Sequence, residues 1–247
     1  MEIKQQISRL LQLTISGFGM LSTFYMVTEL MYFLSFPKKI DQYIKESELM
    51  TSWVLLVNMG LLSLFILQHS LLASSKVKEA FNANGFQVIY RSVYVVATSG
   101  ILLYVLRHWK TTPHAIMWAF NLNYRPIFWI YASIHTVAWI IIYIGNICCD
   151  VTELIGIKQV YYSIMNLPDP NLRKSQQWQR LNSHMRHPSF LAFVLIFWLC
   201  PVMSLDRLLL AVILTTYMYV AWTPDGSDYH YQKYQFERKH FRLDHFN

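Results

Sequence analysis

Between Leu49 and Ser75 the chain carries no Asp, Glu, Lys or Arg. A stretch of ~20 apolar residues is what an α-helix needs to cross the hydrocarbon of a bilayer. The pattern recurs. Leu10–Phe36 holds a single charge, Glu29, and Pro126–Cys149 holds none. A shorter run, Ser92–Leu106, lies between Arg91 and Arg107 and borrows 88–90 to reach spanning length. Its flanking arginines are placed to snorkel. Two further runs, Pro188–Leu205 and Leu208–Thr223, are separated only by Asp206-Arg207. Six such runs exclude a water-soluble domain. Charged residues make up 14% of the chain, against about 25% in soluble proteins.

The expected fold is therefore an all-α integral membrane protein forming one polytopic domain over 1–247. Its spans are 10–36, 49–75, 88–106, 126–149, 188–205 and 208–223. The last two form a helical hairpin, because a two-residue connection forces antiparallel neighbours. The first run is too long for a cleaved signal and reads as a retained anchor. Loop 150–187 and tail 227–247 carry apolar residues at helical spacing, with Trp178, Leu181 and Met185 in the first. They read as interfacial amphipathic helices.

The net charge is +7. Of the 21 Lys and Arg, 14 fall on the side holding both termini and loop 150–187. That bias places this side in the cytosol or nucleoplasm. There is no basic block of five or six residues, so direct nucleic-acid binding is not expected. The bilayer itself is the first partner. Cys148, Cys149 and Cys200 lie at or inside apolar runs, which argues against disulfides and zinc.

Polar groups at membrane depth are site candidates by default. Glu29 reads as an interfacial carboxylate near Lys38 and Lys39. His69 and His135 read as histidines bonded to neighbouring helices rather than as ligands. Trp53, Trp109, Trp118, Tyr124 and Trp222 read as an aromatic belt. The polar cluster on loop 150–187 differs in kind. Lys158, Gln159, Tyr161, Tyr162, Arg186 and His187 gather beside a helix start at Pro188, where free N–H groups favour an anionic group. Asp225 and Asp228 return to the same side. Two readings stand equally: a site for an anionic ligand, or a salt-bridged interfacial belt without one.

Several stretches carry a resemblance. Gln68-His69-Ser70-Leu71, Lys76-Val77-Lys78, Arg91-Ser92-Val93-Tyr94-Val95, the segment from Glu153 to Tyr162, His184-Met185-Arg186-His187-Pro188 and the segment from Asp206 to Ala211 resemble the nurim family. They occur in order along nearly the whole chain. The resemblance implies six spans, residence in the inner nuclear membrane among nuclear-envelope proteins, and no established biochemical activity.

The second half also resembles a wider group, the isoprenylcysteine carboxyl methyltransferases and methanethiol S-methyltransferases. Arg186-His187-Pro188 matches their Arg-His-Pro motif, and the segment from Glu153 to Val160 resembles the stretch before it. The resemblance implies S-adenosylmethionine as cofactor and a thiol or lipophilic acceptor entering from the membrane. Arg186 and His187 would hold the cofactor carboxylate, and Asp225 or Asp228 its polar end. Phe190 stands where the group has tyrosine, Ala192 near a usual glycine, and Asp225-Gly226 where it has Glu-Glu. Each lost polar contact at a buried site costs roughly 1–3 kcal/mol, so two weaken binding about tenfold to several thousandfold.

Overall fold

The computed structural model describes residues 2–36, 50–170 and 189–221, with 233, 234 and 237. Helix α1 spans Glu2–Ser35, α2 Thr51–Ala73 and α3 Ser75–Ala83. Helix α4 spans Gln87–His108, and strand β1 Ile116–Ala119 follows it. Helix α5 spans Arg125–Cys148, and two short helices, α6 Val151–Ile155 and α7 Ile157–Ile164, come next. Helix α8 is Phe190–Trp198, β2 Val202–Ser204 and α9 Leu205–Ala221.

Among the described residues, four helices are long and apolar enough to cross a membrane: Gln6–Ser35, Thr51–Ala73, Gln87–His108 and Arg125–Cys148. They match the first four expected spans. Their outward faces are apolar, with Leu21, Leu67 and Ile144 all more than half exposed. In water that surface would be a liability, whereas lipid accepts it. Pro126 opens α5 in its first turn, where the missing N–H loses no bond.

The C-terminal third departs from the expectation in two ways. The fifth run does not continue as helix to Leu205. It ends at Trp198, and Pro201 precedes β2, which pairs antiparallel with β1 in the register Trp118↔Met203 and Ala119↔Val202. The all-α expectation holds for the fold as a whole, with one short two-stranded sheet added to it. Nor is Asp206-Arg207 a hairpin turn, since both residues sit in the first turn of α9. The connection is the segment 199–204, held by Phe120 N–H to the Pro201 carbonyl at 2.9 Å and Leu205 N–H to the Ala115 carbonyl at 2.9 Å. Helices α8 and α9 still pack on each other, with Trp198 Nε1 donating to Thr215 Oγ1 at 3.1 Å.

A second correction concerns Trp109, which is not part of an interfacial belt. It is buried, and its indole N–H donates to Asp206 Oδ2 at 2.9 Å. Asp206 is fully buried. Its Oδ1 accepts from Thr112 N–H at 2.9 Å, the Thr112 hydroxyl at 2.8 Å and the Ser204 hydroxyl at 2.7 Å. Every partner is a donor, so the carboxylate is fully satisfied, which a buried charge requires. Asn58 of α2 pins the neighbouring residue: its amide donates to the Lys110 carbonyl at 2.7 Å and accepts from Lys110 N–H at 3.0 Å. Arg207 reaches α1, donating to the Phe33 carbonyl at 2.6 Å with its guanidinium 4.3 Å from the Phe33 ring centre. One end of the bundle is therefore closed by a bonded cap. Trp53 and Tyr124 are exposed as a belt requires, and Trp222 lies outside the described residues.

His135 is packed, as expected. Its Nε2–H donates to the Leu199 carbonyl at 3.0 Å. Its Nδ1 accepts from the Ser35 hydroxyl at 2.8 Å, and that oxygen accepts from Trp139 Nε1 at 2.8 Å. The chain of donors and acceptors closes with one ring proton, which is the neutral imidazole. Three helical segments, α1, α5 and the end of α8, meet on this one side chain.

Candidate functional site at the α6–α7 elbow

At the opposite end of the bundle, α5 gives way to α6 and α7. Asp150 turns the chain in a left-handed conformation, φ 63°, which Asp tolerates better than most residues. Its carboxylate caps α6, accepting from the Thr152 hydroxyl at 2.6 Å and Glu153 N–H at 3.3 Å. Gly156 makes the elbow between α6 and α7 with φ 97°. A Cβ at that position would lie 2.6 Å from Ser92 Oγ and 2.7 Å from Ser92 N. Only glycine lets the elbow press so closely on the first turns of α4. Arg91 Nε then donates to the Leu154 carbonyl at 2.7 Å, and its guanidinium lies 5.1 Å from the centre of the Tyr94 ring.

Four residues of the expected cluster, Lys158, Gln159, Tyr161 and Tyr162, lie on α7. Lys158 is engaged within the elbow, its Nζ 2.7 Å from Asp150 Oδ2 and 3.7 Å from Glu153 Oε2. The Lys158 ammonium and the Thr152 hydroxyl hold the Asp150 carboxyl down at about 2, and Asp150 in turn raises Lys158. Gln159 Nε2 donates to the Glu153 carbonyl at 3.2 Å. Its Oε1 is buried with no hydrogen-bond partner among the described residues, and so is Ser92 Oγ. Tyr161 is about half exposed at 49%. Arg186, His187, Asp225 and Asp228 lie outside the described residues, as does the expected interfacial helix of Trp178, Leu181 and Met185.

Sequence reading singled out His69 but not its setting. Its ring stacks on Phe65, with centroids 5.5 Å apart, and meets Tyr94 at 5.4 Å and Tyr217 at 6.2 Å. The Tyr94 hydroxyl is 3.1 Å from His69 Nδ1. Tyr217 shares a hydrogen bond with Ser70 at 3.0 Å. His69 thus ties α2 to α4 and α9, the helix-bonding role expected of it. No cluster of three or more His, Cys, Asp or Glu able to hold a metal occurs among the described residues. Arg91, Ser92 and Gly156 were missed as site residues. The one available signal was a glycine between two short apolar-periodic segments.

The geometry defines a polytopic helical membrane protein with a bonded cap at one end and a polar elbow docked on α4 at the other. Known proteins identify it further. The chain is 37% identical over 244 residues to a nurim homolog of Drosophila pseudoobscura pseudoobscura, covering 95% of this chain and 96% of that one. It is 38% identical over 190 residues to nurim of Xenopus laevis, covering 74% and 65%. It is 36% identical over 187 residues to nurim of Homo sapiens, covering 74% and 70%. The chain belongs to the nurim family. No family model matches it, and no solved structure does.

Proposed function

We propose that this protein is a multi-pass resident of the inner nuclear membrane, kept there by its helical body. The runs 188–205 and 208–223, which contain α8 and α9, supply the fifth and sixth crossings. Both termini and the α6–α7 elbow face the nucleoplasm or cytosol, in keeping with the excess of Lys and Arg on that side. The observation that carries the reading is how three buried polar groups are used. Asp206, His135 and Asn58 all hold helices to one another, as a protein whose function resides in an intact membrane body needs. A tagged full-length chain concentrated at the nuclear rim supports residence. Uniform spread through the peripheral endoplasmic reticulum overturns it.

A second reading is favoured by one observation. Gln159 Oε1 and Ser92 Oγ are both buried without a partner among the described residues, and such orphans are costly. A ligand bringing donors to the α4–α7 seam would satisfy them. In this reading the elbow, with Arg186 and His187, holds S-adenosylmethionine, and a thiol or lipophilic acceptor is methylated from the membrane side. Lys158, bound to two carboxylates, positions the elbow while Gln159 contacts the cofactor. Tyr161 flanks it, and Asp225 and Asp228 hold its polar end. Methyl transfer would then depend chiefly on alignment of acceptor and methyl group. Thermal stability in detergent should rise by ~2.7 kcal/mol at 100 times the dissociation constant, and Gln159→Ala or His187→Ala should abolish the rise. No shift at millimolar cofactor sinks this reading.

A further inference from the structure

Helix α5 gathers exposed apolar side chains on one stripe. Val137, Ile141 and Ile144 follow one another at helical spacing, and each is about half exposed. His135, Ala138, Trp139 and Ile142 are buried on the opposite face. Lipid covers a stripe of this kind. The next position along it is Cys148, the last residue of α5, which is exposed. Cys149 follows as the residue that ends the helix and is half-buried. Neither takes part in a disulfide, and no metal-holding cluster occurs among the described residues. Cys200 shows the contrasting use of cysteine in this fold. It is buried, with its Sγ–H donating to the Val202 carbonyl at 3.3 Å.

The ends of α5 fix the depth of the pair. The 24 residues of α5 rise about 36 Å, at about 1.5 Å each, against roughly 30 Å of bilayer hydrocarbon. Arg125 is exposed at its start, and the Asp150–Lys158 ion pair, at 2.7 Å, stands just past its end. These charges mark the two headgroup boundaries. Cys148 and Cys149 therefore lie between the hydrocarbon and a charged elbow, with Ile144, Ile141 and Val137 directly beneath Cys148. Adjacent thiols at a juxtamembrane helix end suit reversible attachment of an acyl chain, and the apolar stripe is the bed along which that chain would run.

We propose that Cys148-Cys149 is an S-acylation site, with exposed Cys148 as the first acceptor and a long-chain acyl thioester of coenzyme A as donor. The cysteine thiolate attacks the thioester carbonyl. A new C–S bond forms as the bond to the coenzyme A sulfur breaks. The cysteine proton ends on the released coenzyme A thiol, so nothing is oxidised or reduced. The chain adds a lipid anchor beside the elbow. The donor is cytosolic, so the site rests on the topology proposed above, in which the elbow faces the nucleoplasm or cytosol.

The test uses the full chain expressed in eukaryotic cells. Free thiols are blocked, thioesters are cleaved with hydroxylamine, and the released thiols are capped with a maleimide-polyethylene glycol that adds one mass increment per acylated cysteine. The proposal expects a hydroxylamine-dependent increment, at least halved in Cys148→Ser and absent from the double variant Cys148→Ser, Cys149→Ser. Thermal unfolding in detergent checks that each variant folds. In a parallel arm, hydroxylamine-treated cells with only the plasma membrane opened receive the same maleimide, which reaches the nucleoplasm through the pores. Labelling of Cys148 there without a hydroxylamine-dependent increment overturns the acylation and leaves the topology standing. Labelling only after every membrane is opened overturns the topology, and the acylation with it. The double variant retains only Cys200, so an increment that persists in it, or one undiminished by Cys148→Ser, overturns the assignment to this pair.

Discussion

Asp206 lies in the first turn of α9 and accepts the Trp109 indole N–H at 2.9 Å. The bond joins the residue that ends α4 to the first turn of α9, far apart in the chain, and it closes one end of the bundle. Asp206→Ala would leave the Trp109, Thr112 and Ser204 donors without their acceptor. The expected loss is about 3–5 kcal/mol, read as a fall in the unfolding midpoint in detergent. Asp206→Asn keeps the shape but turns an N–H₂ toward a donor, and should lose roughly 1–3 kcal/mol. An alanine variant as stable as the parent would remove the cap from the account.

Gly156 should not tolerate a methyl group. At φ 97° an L side chain is strained, and Ser92 already fills the space a Cβ would take. Gly156→Ala is expected to loosen the elbow by more than about 2 kcal/mol, seen as faster amide exchange over 151–164. Gly60→Ala is the control. Nothing lies within 4 Å of a Cβ there, so its stability should change by less than about 1 kcal/mol.

The histidine bridge makes a coupled prediction. Ser35→Ala and His135→Phe each break the same chain of bonds, so their effects should not add. A double-mutant cycle is expected to give a coupling of about 0.5–3 kcal/mol. Additivity within error would mean that the two side chains act independently.

Acid should weaken the elbow in a defined window. The Asp150 carboxyl titrates at about 2 in the fold, below the ordinary 3.8. Its contribution is therefore complete above about pH 4 and lost as pH falls through about 2. Lys158 is raised, so its contribution is lost only in strong alkali, as pH rises through its folded value. Both side chains are partly exposed, so the pair contributes no more than about 1 kcal/mol. Amide exchange over 151–164 should quicken between pH 4 and pH 2, and Asp150→Asn should remove the dependence.

The sequence exposes the four long spans because a helix surrounded by lipid shows an unbroken apolar run. The cap is hidden for the opposite reason. Asp206-Arg207 between two apolar runs has the composition of a polar turn, and nothing local announces that Trp109 and Thr112 will bury the carboxylate. Strands β1 and β2 are four and three residues long, too short for alternation to register, and their pairing is long-range. At the elbow, the patch holding Lys158, Gln159 and Tyr161 is legible as a polar cluster. The acids that engage Lys158 lie across the Gly156 turn, where helical periodicity is interrupted. Reading along the sequence therefore finds the ammonium without its partners.

Residence is tested most directly by the distribution of a fluorescently tagged full-length chain in living cells. The account predicts a rim around the nucleus several-fold brighter than the surrounding reticulum, recovering slowly after photobleaching. A signal spread evenly through the endoplasmic reticulum, with rapid recovery, would contradict it.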